Sequence, residues 1–236
     1  SPAHSMAPRV TPSQEFEHFE TRHLPKTPRR SYEPASSERL LPQNRTVVMT
    51  THTIHVYDSA QLDHAIRNVS TDSQIVLNEN QSGYRINIFD HNFSEFDITI
   101  TSHGNTNAKV NEVYISNGKN LHFENVVFET GPEARSRPDW RDDFMLNSCN
   151  NVTISNSTMT GNAANAILSL SDPVGELFAS ITSSRNITFQ NNTIENYARG
   201  ILFRLSQEIN IADNTLNMIQ SDGLQFVGVE DVYIEN

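Results

Sequence analysis

The chain has 236 residues, with 17 lysines and arginines against 28 aspartates and glutamates, for a formal charge of −11. That balance excludes a general nucleic-acid binder, which carries a basic face, but leaves room for an anionic sugar held by local arginines or a bound cation. The one cysteine, Cys149, excludes an intramolecular disulfide framework and a Cys-rich metal site, and no apolar run approaches the roughly 20 residues of a membrane span.

Taken in chain order, residues 1–50 read as an extended arm rather than a domain. They hold Pro2, Pro8, Pro12, Pro25, Pro28, Pro34 and Pro42, scattered arginines and almost no apolar periodicity. Such a segment buries too little surface to offset its ordering entropy, so it reads either as a disordered leader or as an extended arm that orders on a partner. Its start, "SPAHSMAPRVTPSQ", lacks the apolar core of a secretory signal. Residues 51–236 form the second unit. There Asp58 or Ser59 caps a short predicted helix whose Leu62, Ala65 and Ile66 share one face. A short amphipathic helix just ahead of repetitive β sequence suits an end cap.

The rest repeats. "NVTISNSTMTGN" from Asn151, "NITFQNNTIEN" from Asn186 and "INIADNTLN" from Ile209 are apolar at alternate positions, stop on Asn or Asp, and turn apolar again. The pairs Ile75/Leu77, Ile98/Ile100, Leu121/Phe123, Val152/Ile154, Ile187/Phe189, Ile209/Ile211 and Val232/Ile234 step by 23, 23, 31, 35, 22 and 23 residues. A second ladder, Val113, Phe144, Ile167, Ile201 and Leu224, steps by 31, 23, 34 and 23. A fixed period in this range predicts a solenoid whose long steps are rungs carrying insertions. Strand alternation points Ile187 and Phe189 inward and Thr188 outward. Asn125, Asn156, Asn191, Asp213 and Asn236 then fall at a shared corner, since Asn tolerates left-handed backbone. The sequence stops in mid-rung at that corner, and an open strand edge calls for more chain or another subunit.

The segment "VYDSAQLDHAIRNVSTDSQIVLNENQSGY", followed by rungs of the form N-x-T/S-apolar-x-N-N/S-T, resembles right-handed parallel β-helix proteins of the carbohydrate-active type. These are alginate and chondroitin lyases, mannuronan epimerases and phage-type spikes. The resemblance covers about residues 53–236. It implies an all-β, right-handed parallel β-helix of about seven coils, with the short N-terminal helix as cap and residues 1–50 as arm. In the lyases a basic residue abstracts the proton beside a uronate carboxyl masked by calcium or another basic residue. Lys26, Lys109 and Lys119 fall in the arm, a turn and a corner, which suits that role poorly.

Better site candidates lie in the long rungs. The first insertion, "TGPEARSRPDWRDDF", brings Arg135, Arg137, Trp140 and Arg141 together, a ring for sugar C–H faces among cations for hydroxyls or carboxylates. Asp142 and Asp143 beside them offer oxygens to Ca2+. The second, "SDPVGELFASITSS", carries Asp172 and Glu176 together with apolar Leu177, Phe178 and Ile181, which call for cover by their own coil or a subunit. Aligning Ile201 with Leu224 puts Met145, Leu168, Leu202 and Gln225 in one outward column, and Asn147, Leu170, Arg204 and Val227 in the next. Arg204 joins the sugar-binding candidates, and the apolar Met145, Leu168, Leu170 and Leu202 suggest an oligomer interface, a homotrimer or larger. No histidine pair has zinc spacing, and no glycine-rich phosphate loop is present.

Two functions follow. The first is a carbohydrate-recognising spike or fibre component, extracellular or on a particle surface, anchored by its arm. The second is a secreted lyase or epimerase acting on uronate polymers such as alginate, which leaves open whether the chain is catalytic.

Overall fold

The computed structural model describes residues 52–89, 93, 95–102, 108–130, 143–161 and 177–236. The arm, residues 131–142 of the first insertion and residues 162–176 of the second lie outside them. What is described is nearly all β, with parallel pairing throughout and one helix. No helix among the described residues is long and apolar enough to cross a membrane.

One sheet runs β1 (His52–Val56), β2 (Ser73–Leu77), β4 (Ile98–Thr101), β6 (Lys119–Glu124), β9 (Asn150–Ser155), β12 (Arg185–Gln190), β15 (Gln207–Ala212) and β18 (Glu230–Glu235). The other sheet has two runs joined through β5 (Lys109–Ser116). On one side lie β7 (Val127–Glu129), β10 (Thr158–Thr160), β13 (Thr193–Glu195) and β16 (Thr215–Asn217). On the other lie β3 (Tyr84–Ile88), β8 (Phe144–Asn147), β11 (Leu177–Thr182), β14 (Arg199–Arg204) and β17 (Leu224–Val227). No strand among the described residues pairs with the element that directly follows it, which is how a solenoid uses local alternation to build a continuous core.

The first apolar ladder holds from Ile98 onward: Leu121, Val152, Ile187, Ile209 and Val232 are successive register partners. It slips at its start, where Ile98 pairs with Ser73 and Ile100 with Ile75. Sliding by two preserves which face each side chain takes, so alternation alone could not see the slip. The second ladder is corrected at one rung. Phe144 and Ile201 both pair with Ala179, not with Ile167. Leu177, Phe178 and Ile181 are therefore not a loop seeking cover: they belong to β11 and are buried in the core.

Helix α1 (Ser59–Arg67) is capped by Asp58, whose carboxylate accepts from Gln61 N at 2.7 Å. Leu62, Ala65 and Ile66 are its buried residues, as their spacing predicts. Inside the strands runs a chain of tilted and edge-on aromatic rings, Phe123, Phe128, Phe144, Phe178 and Tyr197, with neighbouring centroids 5.4–6.1 Å apart.

The corners explain the asparagines. Asn125, Asn156, Asn191 and Asp213 all have φ between 51° and 54°, the left-handed region that costs most side chains energy but suits Asn and Asp. Asn191 Nδ2 donates to Asn156 Oδ1 at 2.6 Å across the rungs. Asn120, Asn151 and Asn186 mark a second left-handed corner and bond along their own column. A third polar ladder runs inside. Val126 N donates to Ser157 Oγ (3.0 Å), Ser157 N to Asn192 Oδ1 (2.9 Å) and Asn192 N to Asn214 Oδ1 (3.0 Å). At the neighbouring corner Cys149 N donates to Ser184 Oγ and Ser184 N to Ser206 Oγ. Each buried corner N–H is thus satisfied by a side chain of the following rung, as buried polar groups require.

Cys149 is 2% exposed, and burial pushes its thiol up to about 11. At pH 8 about one molecule in a thousand would then carry the reactive thiolate. Native protein is accordingly expected to resist a thiol reagent at pH 8 and to react at once in denaturant. Rapid stoichiometric labelling of the folded protein would contradict this burial.

Candidate functional site

Both long insertions leave from one edge. Residues 131–142 connect β7 to β8 and residues 162–176 connect β10 to β11, while β7 pairs with β10 and β8 with β11. The two departures and the two returns are therefore neighbours, and Thr130 N bonds Thr160 O at 3.2 Å between them. Asp143 closes the base of the first insertion. Its Oδ2 accepts from Thr130 Oγ1 and, at 3.3 Å, from the hydroxyl of fully buried Tyr197, while its carbonyl accepts from Val113 N at 2.8 Å. Glu112, just before Val113, lies at the same level one rung away. Lys109 and Glu129 pair at 2.5 Å on this edge, and Arg199 opens β14 there. A chain poor in charge thus collects both signs where its insertions emerge.

Beside that edge lies the outward face of β3, β5, β8, β11, β14 and β17. Register pairing sets Asn87, Tyr114, Met145, Ser180, Leu202 and Gln225 in one column. The next column is Ser116, Asn147, Thr182, Arg204 and Val227. Leu168 and Leu170 lie outside the described residues, and the places expected for them belong to Ser180 and Thr182. The columns are accordingly less apolar than the sequence alignment suggests. Met145 and Leu202 do face outward in one column, half-buried. Phe89, 42% exposed, lays its ring 4.5 Å from that of Tyr114.

Arg204 is exposed. Among the described residues it has no carboxylate partner, whereas Arg67, Lys109, Lys119 and Arg185 all do. It stands four positions along the strand and two rungs across from Asp143, which is roughly 16 Å from strand geometry. The sugar-binding candidates therefore do not form a single cluster. Arg135, Arg137, Trp140, Arg141 and Asp142 lie outside the described residues. Asp143 belongs to the insertion edge and Arg204 to the far margin of the face. Among the described residues no three His, Cys, Asp or Glu side chains stand together as a metal-ligand set.

Lys109 and Lys119 each begin a strand, paired with Glu129 and Glu95 respectively, rather than lying free in a turn. Sequence reading overlooked Tyr114, Phe89, Glu112 and Tyr197. The alternation of Val113 and Ile115 already forced Tyr114 outward, and an outward tyrosine amid inward aliphatics was the available signal.

No protein-family model and no curated protein matches the sequence. Among solved structures the chain is similar to a candidate glycosyl hydrolase from Parabacteroides merdae, at 12% identity and a TM-score of 0.54. The match covers 77% of this chain and 90% of that one, and at such identity it is a likeness of fold.

Proposed function

We propose that the protein is a carbohydrate-recognising right-handed parallel β-helix of about seven coils, capped by α1, that holds a polysaccharide against the β3–β17 face and the adjoining insertion edge. The observation carrying this reading is Arg204, an exposed cation without a carboxylate partner among the described residues, on the face that also presents the Phe89–Tyr114 pair. Trp140, Arg135, Arg137 and Arg141 belong to this reading as further sugar-binding candidates. The glycosyl hydrolase likeness of the P. merdae neighbour lends the carbohydrate class indirect support. In this reading residues 1–50 anchor the chain to a larger extracellular or particle-surface assembly, and Met145 and Leu202 contribute to contacts in a homotrimer or larger.

One observation favours a second reading, a secreted lyase or epimerase of uronate polymers. Asp143 stands half-buried at the base of the first insertion, and carboxylates are among the side chains that move protons in catalysis. An arginine of the insertion, or calcium held by Asp142 and Asp143, would mask the uronate charge.

A panel of acidic and neutral polysaccharides tests both, with and without calcium, following binding, ultraviolet absorbance of unsaturated uronide ends, and epimerisation by NMR. Binding without turnover is the expected result. Turnover lost in both Asp143→Asn and Arg141→Ala would establish the enzyme instead, and absence of binding to every glycan would overturn both readings.

A further inference from the structure

The two edge strands of the eight-stranded sheet differ in charge. β18 carries Glu230, Asp231 and Glu235, all exposed. Charges of one sign along an edge repel a second copy of the same strand, one of the ways proteins guard such edges. β1, at the opposite edge, reads His52, Thr53, Ile54, His55, Val56, with no lysine, arginine, carboxylate, proline or bulge. In a chain of charge −11, this is the edge where two copies meet with least repulsion.

The hydrogen bonds show which backbone groups β1 leaves open. His52 N donates to Asp72 O at 3.3 Å and Val56 O accepts from Asn78 N at 3.0 Å, in a register that runs from His52–Ser73 to Val56–Leu77. Bonding groups alternate along a strand, so His52, Ile54 and Val56 turn theirs to β2. The N–H and C=O of Thr53 and His55 face the other side, where no strand among the described residues pairs with them. Both residues are exposed, and Ile54 between them is half-buried against the end of the core. The sequence leading into β1 is spaced with prolines such as Pro34 and Pro42, which lack the N–H that a pairing strand must donate.

We propose that a second copy of this chain covers the edge, with β1 pairing antiparallel to β1 of that copy about a two-fold axis at Ile54. Thr53 then stands opposite His55 of the second copy, and the two exchange both N–H···O bonds. The two-fold repeats that exchange on the other side of the axis. Between them Ile54 faces its own counterpart, at the closer Cα spacing where opposed side chains touch. Two eight-stranded sheets become one, and a self-complementary contact of this kind closes rather than growing into a filament. The contact is independent of glycan binding and of Met145 and Leu202, which lie on the other sheet.

Sedimentation velocity of the full chain over a dilution series tests this. The smallest species is expected to double in mass with concentration. Thr53→Pro and His55→Pro each remove an N–H that β2 does not use, so each should weaken association at least about tenfold and leave the thermal melt unchanged. Ile54→Pro removes one that β2 does use and should lower the melt, which separates the edge from the fold. Amide exchange resolves the same parity: Thr53 and His55 should gain protection as the doubled species forms, whereas Ile54 is protected in both. The smallest species alone at every concentration up to about 1 mM, or a doubling that both outer proline variants retain, would overturn the proposal. Protection of Thr53 and His55 already in the smallest species would place the cover within one chain and overturn it equally.

Discussion

Phe144→Ala is expected to lower the unfolding free energy by about 3–5 kcal/mol, the range for deleting a buried aromatic ring from a packed core. The residue is 0% exposed and its ring lies 5.4 Å from Phe123, 5.6 Å from Phe128 and 5.9 Å from Phe178. Those rings come from three other strands on both sheets, so no single backbone shift can fill the hole. Phe226 offers the internal comparison. It is half-buried near the C-terminal end and stacks flat on Phe203 at 5.3 Å, so Phe226→Ala should cost clearly less. Urea unfolding followed by circular dichroism reads both. A Phe144→Ala loss under about 2 kcal/mol, or one no larger than that at Phe226, would mean the aromatic run is not the centre of the core.

Asn192 is the polar counterpart. It is 2% exposed, its Oδ1 accepts from Ser157 N, and its Nδ2 donates to Ile154 O and Asn214 Oδ1, all at 2.9 Å. Asn192→Ala removes three bonds and leaves the Ser157 N–H buried without that acceptor. Each such orphan costs about 1–3 kcal/mol, so a loss of about 2–4 kcal/mol is expected. Asn192→Leu fills the volume without the bonds and should be no better. A stable leucine variant would show that shape rather than hydrogen bonding governs this corner. Amide exchange gives a sharper readout, since protection should fall first at Ser157.

Most of the fold could be read from the sequence because inward positions obey two periodicities at once. The misplaced rung shows where that fails. Phe144 to Ile167 is 23 residues, the ordinary step, so "AILSL" looked like a strand. With Ala179 in its place the second ladder steps by 31, 35, 22 and 23, identical to the first from Leu121 onward. An insertion lengthens every face of its rung equally, and demanding that equality would have found β11 from sequence. The site was less legible for a different reason. Outward residues answer to no repeat, so alternation gives their direction but not their neighbours. Arg204 and Leu202 were found because their own rung was correctly aligned. The hydrogen bond between Asp143 and Tyr197 spans 54 residues and both insertion-bearing rungs, and nothing local announces it.

The inner Ser and Asn ladder gives the molecule a polarity in time as well as in space. Each corner N–H borrows its acceptor from the rung made after it: Val126 from Ser157, Ser157 from Asn192, Asn192 from Asn214. A chain synthesised from its N-terminus therefore always carries one unfinished donor at its growing front, and adding a rung retires one debt while opening the next. Peeling from the C-terminal side reopens that donor at every step, and peeling from the N-terminal side uncovers a different set, since Thr158 N, Thr193 N and Thr215 N donate back to the carbonyls of Val126, Ser157 and Asn192.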